Sequence, residues 1–199
     1  MGKLKNILSD ADVNQFLRIC LLLLLFGFII FRILDYTGFF IDEINCGAET
    51  IVTKDQKECY EANGYRFDNA DGRSTEKAFE GNYSVKLSPQ NQYGMEIKLP
   101  IPKRKEEYEA SVWFYEQKVS ADTSGWAFLV AAIGNNVFWK GQIEVSERKN
   151  GWGKLNLKFT IPDGIYTDPL VIYCWNNTKN DVYFDNMSIK LKNYCKIFK

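Results

Sequence analysis

The sequence predicts an all-β fold, a two-sheet antiparallel β-sandwich, preceded by one transmembrane α-helix. Two observations lead to this prediction. An uninterrupted apolar run lies near the N-terminus of the 199-residue chain. After residue 60, short segments alternate apolar and polar residues at period two and are separated by Gly, Pro, Asn and Asp. No amphipathic helix is evident beyond the apolar run, so the bulk of the chain should form strands.

Residues 16–34 form the predicted membrane span. The run from Cys20 to Phe31 contains no polar side chain. A helix over residues 16–34 would measure roughly 28 Å, which just crosses a hydrocarbon core. Arg18 and Arg32 lie near its two ends, where their side chains can snorkel to the interfaces. A buried helix of a soluble protein would keep a polar stripe, and this segment is apolar all round.

We interpret this span as a retained signal anchor, because no pair of small residues in a cleavage-site arrangement follows it. Lys3, Lys5 and Arg18 precede the span, whereas acidic residues dominate the segment behind it. The positive-inside rule therefore predicts a cytoplasmic tail over residues 1–15 and a periplasmic or extracellular C-terminal domain. The lipid bilayer is thus one predicted partner.

Residues 35–58 are predicted to be a linker or a first strand segment, and residues 59–199 to form one β-sandwich domain. Alternation defines most of the strands, and an apolar run defines a central one. The predicted strands centre on Tyr83–Leu87, Met95–Leu99, Tyr108–Phe114, Trp126–Ile133, Leu155–Ile161, Leu170–Trp175 and Val182–Leu191.

Four cysteines lie behind the span, in a compartment where disulfides can persist. Three pairings are possible. We favour Cys46 with Cys59, which would close a short loop, and Cys174 with Cys195. The alternative is four free buried thiols.

The composition excludes several classes of function. There is no histidine, which excludes catalysis by imidazole and most catalytic zinc sites. The net charge is zero, so no basic field favours nucleic acid. Carboxylate pairs such as Glu144 with Glu147 or Glu106 with Glu107 lie in lysine-rich, turn-like surroundings, and we interpret them as solvated surface rather than as a glycosidase site. The chain is therefore predicted not to be an enzyme.

Four segments carry a resemblance to a known family. They are Gly81–Leu87, Tyr108–Phe114, the segment from Gly151-Trp152 to Pro162, and Val182–Ile189, which contains Val-Tyr-Phe-Asp-Asn. Together they resemble the family 4/9 type of carbohydrate-binding module over roughly residues 59–191. The resemblance implies a galactose-binding-like jelly roll that binds glycan, frequently with one structural calcium ion. Such modules usually accompany a glycoside hydrolase, and this sequence contains none.

The resemblance also implies where calcium would bind. An acidic residue of the last strand and one of the first segment meet in the family, and Asp185 and Glu61 match these positions. Oxygen-rich sites of this kind suit calcium. The alternative is that Asp185 and Asn186 cap a bulge by hydrogen bonding to nearby backbone.

Exposed aromatic side chains are the predicted sugar contacts, because an aromatic face can pack against a pyranose ring. Trp113 and Trp152 stand where the family uses tryptophan for packing. The freer candidates are Trp126, Trp139, Tyr173 and Trp175, although core packing is an alternative for each.

The predicted function is a single-pass, membrane-anchored, non-catalytic module that binds carbohydrate in the cell envelope. The alternative is an interaction or scaffold subunit of a larger envelope complex, without sugar binding. The predicted partner is accordingly a glycan or an envelope protein complex.

Overall fold

The computed structural model describes residues 10–36, 42–116, 126–134 and 137–192. The helix and the β-rich part belong to two separate compact units. In the first unit lies α1 (Asp10–Tyr36). Its stretch Gln15–Arg32 has a mean hydropathy of 2.1 and no buried residue. By length and composition this helix is able to cross a membrane, and a signal sequence would meet the same criteria.

The second unit, Ile41–Lys192, contains fourteen β-strands and one short 3₁₀ helix (Ala70–Gly72) among its described residues. The strands are β1 (Asp42–Cys46), β2 (Ile51–Lys54), β3 (Lys57–Ala62), β4 (Tyr65–Asp68), β5 (Arg73–Ser74), β6 (Ser84–Leu87), β7 (Tyr93–Leu99), β8 (Glu107–Glu116), β9 (Ala127–Ile133), β10 (Phe138–Gln142), β11 (Val145–Lys149), β12 (Trp152–Thr160), β13 (Leu170–Asn176) and β14 (Val182–Lys192).

These strands form two seven-stranded antiparallel sheets. Sheet A has the order β11-β12-β8-β14-β6-β5, and β1 also pairs with the long strand β14. Sheet B has the order β10-β9-β13-β7-β4-β3-β2. The prediction of a two-sheet antiparallel sandwich preceded by a helix is confirmed.

Apolar side chains from the inner faces of both sheets form one continuous core, because alternate residues of a half-buried strand point to the same side. Among its fully buried members are Tyr60, Phe67, Leu87, Ile97, Leu129, Leu155, Leu170 and Phe184. The alternation found in the sequence for β6, β7, β12 and β14 is the pattern that places four of these residues inside: Leu87, Ile97, Leu155 and Phe184.

Two-residue turns join several neighbouring strands. Asn63-Gly64 connects β3 to β4, and Asn150-Gly151 connects β11 to β12; all four residues have positive φ. Asn-Gly is the preferred dipeptide for type I′ hairpins, whose twist matches that of the strands. The sequence thus contains direct signals for β3, β4 and β11, strands that were not predicted individually.

A β-bulge interrupts each of two central strands. In β7, Met95 and Glu96 lie opposite the single residue Tyr173, and Met95 has a φ of 49°. In β14, the register against β8 shifts between Asp185 and Ser188, and Asn186 has a φ of 48°. Each bulge reverses the faces that the side chains on one side of it would otherwise occupy.

The predicted disulfide between Cys46 and Cys59 is not present, because both residues are free thiols. Cys46 packs in the inter-sheet core. The neighbour of Cys59, Tyr60, also points into that core, so Cys59 points to the other side of its sheet, where its thiol donates to the Val52 carbonyl. Cys174 is a buried free thiol, and its predicted partner Cys195 lies outside the described residues.

A buried asparagine connects the end of β13 to both neighbouring segments. The side-chain amide of Asn176 donates to the carbonyls of Leu87 and Asn180 at 3.0 and 2.9 Å. Its side-chain oxygen accepts from the backbone N–H of Thr178 at 2.8 Å. The residue is fully buried, and these three bonds satisfy its side chain.

We expect Asn176→Ala to lower the free energy of unfolding of the segment 42–192 by about 2–4 kcal/mol, because it leaves buried backbone groups unpaired. Chemical denaturation measures this change. The matched control is Asn177→Ala, which truncates the exposed neighbour and should cost no more than about 0.5 kcal/mol. Equal effects of the two substitutions would contradict this account.

Candidate functional site

Five aromatic side chains form a continuous row on the outward face of sheet B. We call this set the aromatic row: Tyr93, Tyr173, Trp175, Phe128 and Trp139. The Trp175 ring lies at its centre, stacked on Phe128 at 4.8 Å between ring centroids and on Tyr93 at 6.2 Å. Tyr173 meets Tyr93 edge-on at 5.9 Å, and Trp139 meets Phe128 at 6.5 Å. The row therefore crosses four adjacent strands, β7, β13, β9 and β10.

Strand pairing holds the row in place. Trp175 is the register partner of Phe128 on one side and of Tyr93 on the other, so the three rings stand side by side. Such directly opposed residues are the pairs that interact most closely across a sheet. Tyr93 and Trp139 are 46% and 47% exposed, so the row presents aromatic surface to solvent.

A glycine leaves room for the Trp139 ring, which occupies the space that a side chain at Gly141 would fill. A Cβ atom at Gly141 would approach Trp139 Cη2 to 2.5 Å and Phe128 Cδ1 to 3.2 Å. The position of the indole thus depends on the missing side chain. Val130, the register partner of Gly141 and Tyr173, is fully buried without belonging to the inter-sheet core. The outward face of sheet B is therefore covered at this point.

Charged side chains border the row on the same face of sheet B. Lys98 pairs with Glu96 at 3.1 Å and with Asp68 at 3.4 Å, and Asp68 pairs with Arg66 at 2.6 Å. We call Arg66, Asp68, Glu96 and Lys98 the charged network. Its members are partly exposed, which leaves oxygens and N–H groups for a ligand beside the rings.

Tyr173 joins the row to this network. Burial raises the pKa of its hydroxyl, a hydrogen bond with Trp139 lowers it, and the nearby charges of Tyr93 and Glu96 raise it further. The hydroxyl therefore stays protonated near neutral pH. A neutral phenol both donates and accepts hydrogen bonds, which suits contact with a polyhydroxylated molecule.

Three of the four predicted contact residues, Trp139, Tyr173 and Trp175, lie in this row. Trp126 directly precedes β9, two residues before Phe128, and is 58% exposed. Tyr93 and Phe128 were not predicted from the sequence. Phe128 stands two residues after Trp126, so both side chains point to the same side of an extended chain. This spacing could have predicted that Phe128 faces outward.

Aromatic residues on the outward face of sheet A form a second, closed cluster. Trp113, Trp152 and Tyr183 are buried there, and the Phe79 ring stacks on Trp113 at 4.1 Å. The segment that carries Phe79 thus covers this part of the sheet. The surroundings of Trp113 and Trp152 agree with the packing role expected for them, and the cluster offers no open aromatic face comparable to the row.

Asp185 holds the covering segment. Its Oδ2 accepts from the backbone N–H groups of Phe79 and Glu80 at 2.7 and 3.2 Å, and its Oδ1 accepts from that of Asn186 at 2.7 Å. This arrangement agrees with the alternative that Asp185 caps a bulge. Burial raises its pKa to about 6, although the three backbone donors lower it.

Glu61 and Asp185, the predicted calcium ligands, lie on different sheets. Glu61 is exposed on β3, and Asp185 is buried on β14. Within the described ranges, no three Asp, Glu, Cys or His side chains are grouped closely enough to hold a metal ion. Calcium binding therefore stays a prediction.

The outward face of sheet A also contains a polar groove of about 240 Å³. Its floor is formed by Ser111 and its two register partners, Asn156 and Ser188. Along one side, Lys190 pairs with Glu43 at 3.4 Å. This polar groove lacks the open ring faces of the aromatic row.

No family model and no curated protein matches the chain. Among solved structures, it is similar to the CBM22-1 xylan-binding domain of Paenibacillus barcinonensis Xyn10C, with 17% identity, a TM-score of 0.46, and coverage of 75% of this chain and 95% of that one. A family 16 carbohydrate-binding module has 19% identity, a TM-score of 0.41, and coverage of 63% and 84%. The Stig cyclase Fisc from Fischerella sp. TAU has 15% identity, a TM-score of 0.43, and coverage of 75% and 83%. At these values the comparisons assign neither a family nor a ligand.

We expect the stability of the segment 42–192 to contain a pH-dependent contribution from Asp185. The pKa in the folded state is about 6, above the ordinary value of 3.8, so the folded state binds this proton more tightly. The contribution is fully present below pH 4 and is lost as the pH rises through 6. Between pH 4 and pH 7 the free energy of unfolding of the native chain should fall by about 2.4 kcal/mol relative to that of Asp185→Asn.

Denaturation of both proteins across this pH range measures the difference. Because the substitution leaves the other titrating groups in place, subtraction isolates Asp185. Parallel pH profiles would show that Asp185 does not titrate in this window.

Proposed function

We propose that the sandwich is a non-catalytic module that binds a glycan along the aromatic row and is tethered to a membrane by α1. The observation that supports this most directly is the row itself, five contacting rings on one outward sheet face with a charged network beside them. Neither feature alone distinguishes a sugar site from an ordinary surface. Their adjacency supplies the two kinds of contact that a glycan needs.

Aromatic rings bind the apolar faces of sugars. In this chain the outermost rings, Tyr93 and Trp139, are nearly half exposed, while Trp175 and Phe128 between them stack on each other at 4.8 Å. Mutual packing fixes the rings before a ligand arrives, so little conformational entropy is lost on binding. The row therefore offers a preorganised platform.

The charged network supplies hydrogen bonds for hydroxyl groups. Its carboxylates accept, and its ammonium and guanidinium groups donate. Because Lys98 is paired with both Glu96 and Asp68, the network has no large uncompensated charge. We therefore infer a neutral glycan rather than a strongly acidic or basic one.

The length of the row favours an oligosaccharide. Adjacent strands lie about 4.8 Å apart, so four strands span about 14 Å from first to last. A chain of several sugar units can contact successive rings along this distance. A single sugar would use only part of the row.

The tether follows from α1. A helix of this length and apolarity, with no residue of the stretch Gln15–Arg32 buried, would keep the module at a membrane surface. We propose that the N-terminus is cytoplasmic and that the sandwich is periplasmic or extracellular, as the flanking charges predict. A structural calcium ion in the sandwich is a further part of this proposal.

We expect Trp139→Ala to weaken glycan binding at least tenfold, because it removes an exposed ring from the row. The test uses the full chain in nanodiscs whose lipids carry no sugar headgroups, screened on a glycan panel and then titrated by calorimetry. Tyr65→Ala is the control, since Tyr65 is an aromatic side chain that is 38% exposed and lies outside the row. It should leave the affinity unchanged.

Two further variants locate the site. Gly141→Val should weaken binding with every ring retained, because the new side chain displaces the Trp139 indole. Ser111→Leu fills the polar groove of sheet A and should have no effect. Loss of binding on Ser111→Leu alone would move the site to that groove. Failure of the native chain to bind any glycan would contradict the proposal and favour a protein-docking role for the same rings.

A further inference from the structure

The exposed aliphatic side chains of the sandwich lie in loops at one end of it. Among the described residues of the second unit, Ile101, Val137 and Ile165 are 52%, 65% and 95% exposed. The other exposed large hydrophobic residues there are aromatic: Tyr65, Tyr93, Trp126 and Trp139. Singly exposed apolar residues are normal on a protein surface, so these three are informative only if they lie together on one part of the sandwich.

Strand register shows that the three aliphatic residues share an end. Ile133, Leu170 and Leu99 are register neighbours across β9, β13 and β7, and each of the three loops begins or ends at one of them. Ile101 follows Leu99, Ile165 precedes Leu170, and Val137 follows Ile133. The loops also approach each other, because the Lys105 N–H donates to the Ile161 carbonyl at 2.8 Å.

The same end receives the chain from the helix. Asp42, the first described residue of the sandwich, pairs with Leu191, and Lys192 pairs with Glu107 at the start of β8. We call this the entry end. The last residue of α1 is Tyr36, so six Cα–Cα steps separate the helix from the entry end. Such a connection spans at most about 22 Å, even when fully extended.

An apolar pocket opens at the entry end. Its volume is about 190 Å³, and its lining includes Ile44, Leu99, Ile101 and Leu191. The rim of the pocket thus shares Ile101 with the exposed aliphatic group. Because removal of apolar surface from water is favourable, apolar side chains beside an apolar recess form a surface that is stabilised by an apolar partner.

The charges of the entry end are mixed. Lys103, Arg104 and Lys105 are exposed beside Ile101, and Asp163 and Asp168 are exposed near Ile165. The Glu106 carboxylate is engaged with the Lys103 N–H and the Tyr108 hydroxyl at 2.9 Å each. Basic groups next to exposed aliphatic groups are typical of surfaces that contact lipid headgroups, and the two aspartates limit the electrostatic part of the attraction.

We propose that the entry end rests on the bilayer that α1 spans, with Ile101, Val137 and Ile165 in the interfacial region and Lys103–Lys105 among the headgroup phosphates. The occupant of this surface is a lipid surface because the short connection keeps the entry end next to one. Tethering raises the effective lipid concentration, so a weak surface of three side chains suffices. This inference rests on the proposed anchor and is independent of glycan binding.

Methyl NMR of the full chain in nanodiscs that contain a headgroup spin-labelled lipid tests the proposal. The signals of Ile101, Val137 and Ile165 should broaden at least twofold more than that of Ile143, which lies between β10 and β11, away from the entry end. Single Ile→Val and Val→Ala substitutions assign the signals. Equal broadening of all four signals, or none, would overturn the proposal.

A paired substitution checks that contact with lipid holds this orientation. Ile101→Ser together with Ile165→Ser should reduce the broadening of Val137 at least twofold without lowering the Tm, since both side chains are exposed. Tyr93→Ser, which changes the aromatic row instead, should leave Val137 unaffected. An unchanged Val137 signal in the paired variant would overturn the proposal. Failure of the full chain to enter nanodiscs would overturn the anchor as well, whereas glycan binding would be untouched by either result.

Discussion

Closure of the inter-sheet core is the constraint on which the rest of the sandwich depends. Both seven-stranded sheets bury one face against the other, and the core takes almost every apolar residue that alternation provides. Aromatic residues at the opposite positions must then lie on the outward faces. On sheet A, Phe79 covers them and they form a closed cluster. On sheet B the rings pack against each other and stay open to solvent. The candidate site is therefore the aromatic row on sheet B, whose rings stay open to solvent.

The two bulges determine how these faces are composed. In β7, strict alternation would place Tyr93 inside with Met95, Ile97 and Leu99. The extra residue at Met95 and Glu96 turns Tyr93 outward, opposite Trp175, while Gly94 faces the core. In β14, the bulge after Asp185 keeps Met187 and Ile189 in the core and leaves the Asp185 carboxylate in reach of the Phe79 and Glu80 N–H groups. One bulge thus completes the aromatic row, and the other secures the segment that closes sheet A.

The two surfaces proposed to bind ligands lie on different parts of the sandwich. The aromatic row lies on a sheet face, whereas the exposed aliphatic residues lie at the entry end. A module whose end rests on lipid would keep its sheet faces free for ligands dissolved beside the membrane. The two regions therefore have different proposed occupants, a glycan for the aromatic row and lipid for the entry end. It also makes glycan binding and lipid contact separable by substitution, because they share no residue.

Local patterns in the sequence were sufficient for the helix, for seven of the strands and for the sandwich architecture, because apolar runs and period-two alternation report burial directly. They also selected Trp139 and Trp175, whose polar neighbours indicated exposure, together with Tyr173 and Trp126. Only the tertiary structure decided that three of these rings join Phe128 and Tyr93 in one row, since strand order and a bulge bring them together. It likewise decided that Cys46 and Cys59 stay apart, because the direction of a side chain depends on which face its strand turns to the core. Sequence determines what each strand must bury, and the register between strands determines which of the remaining side chains meet.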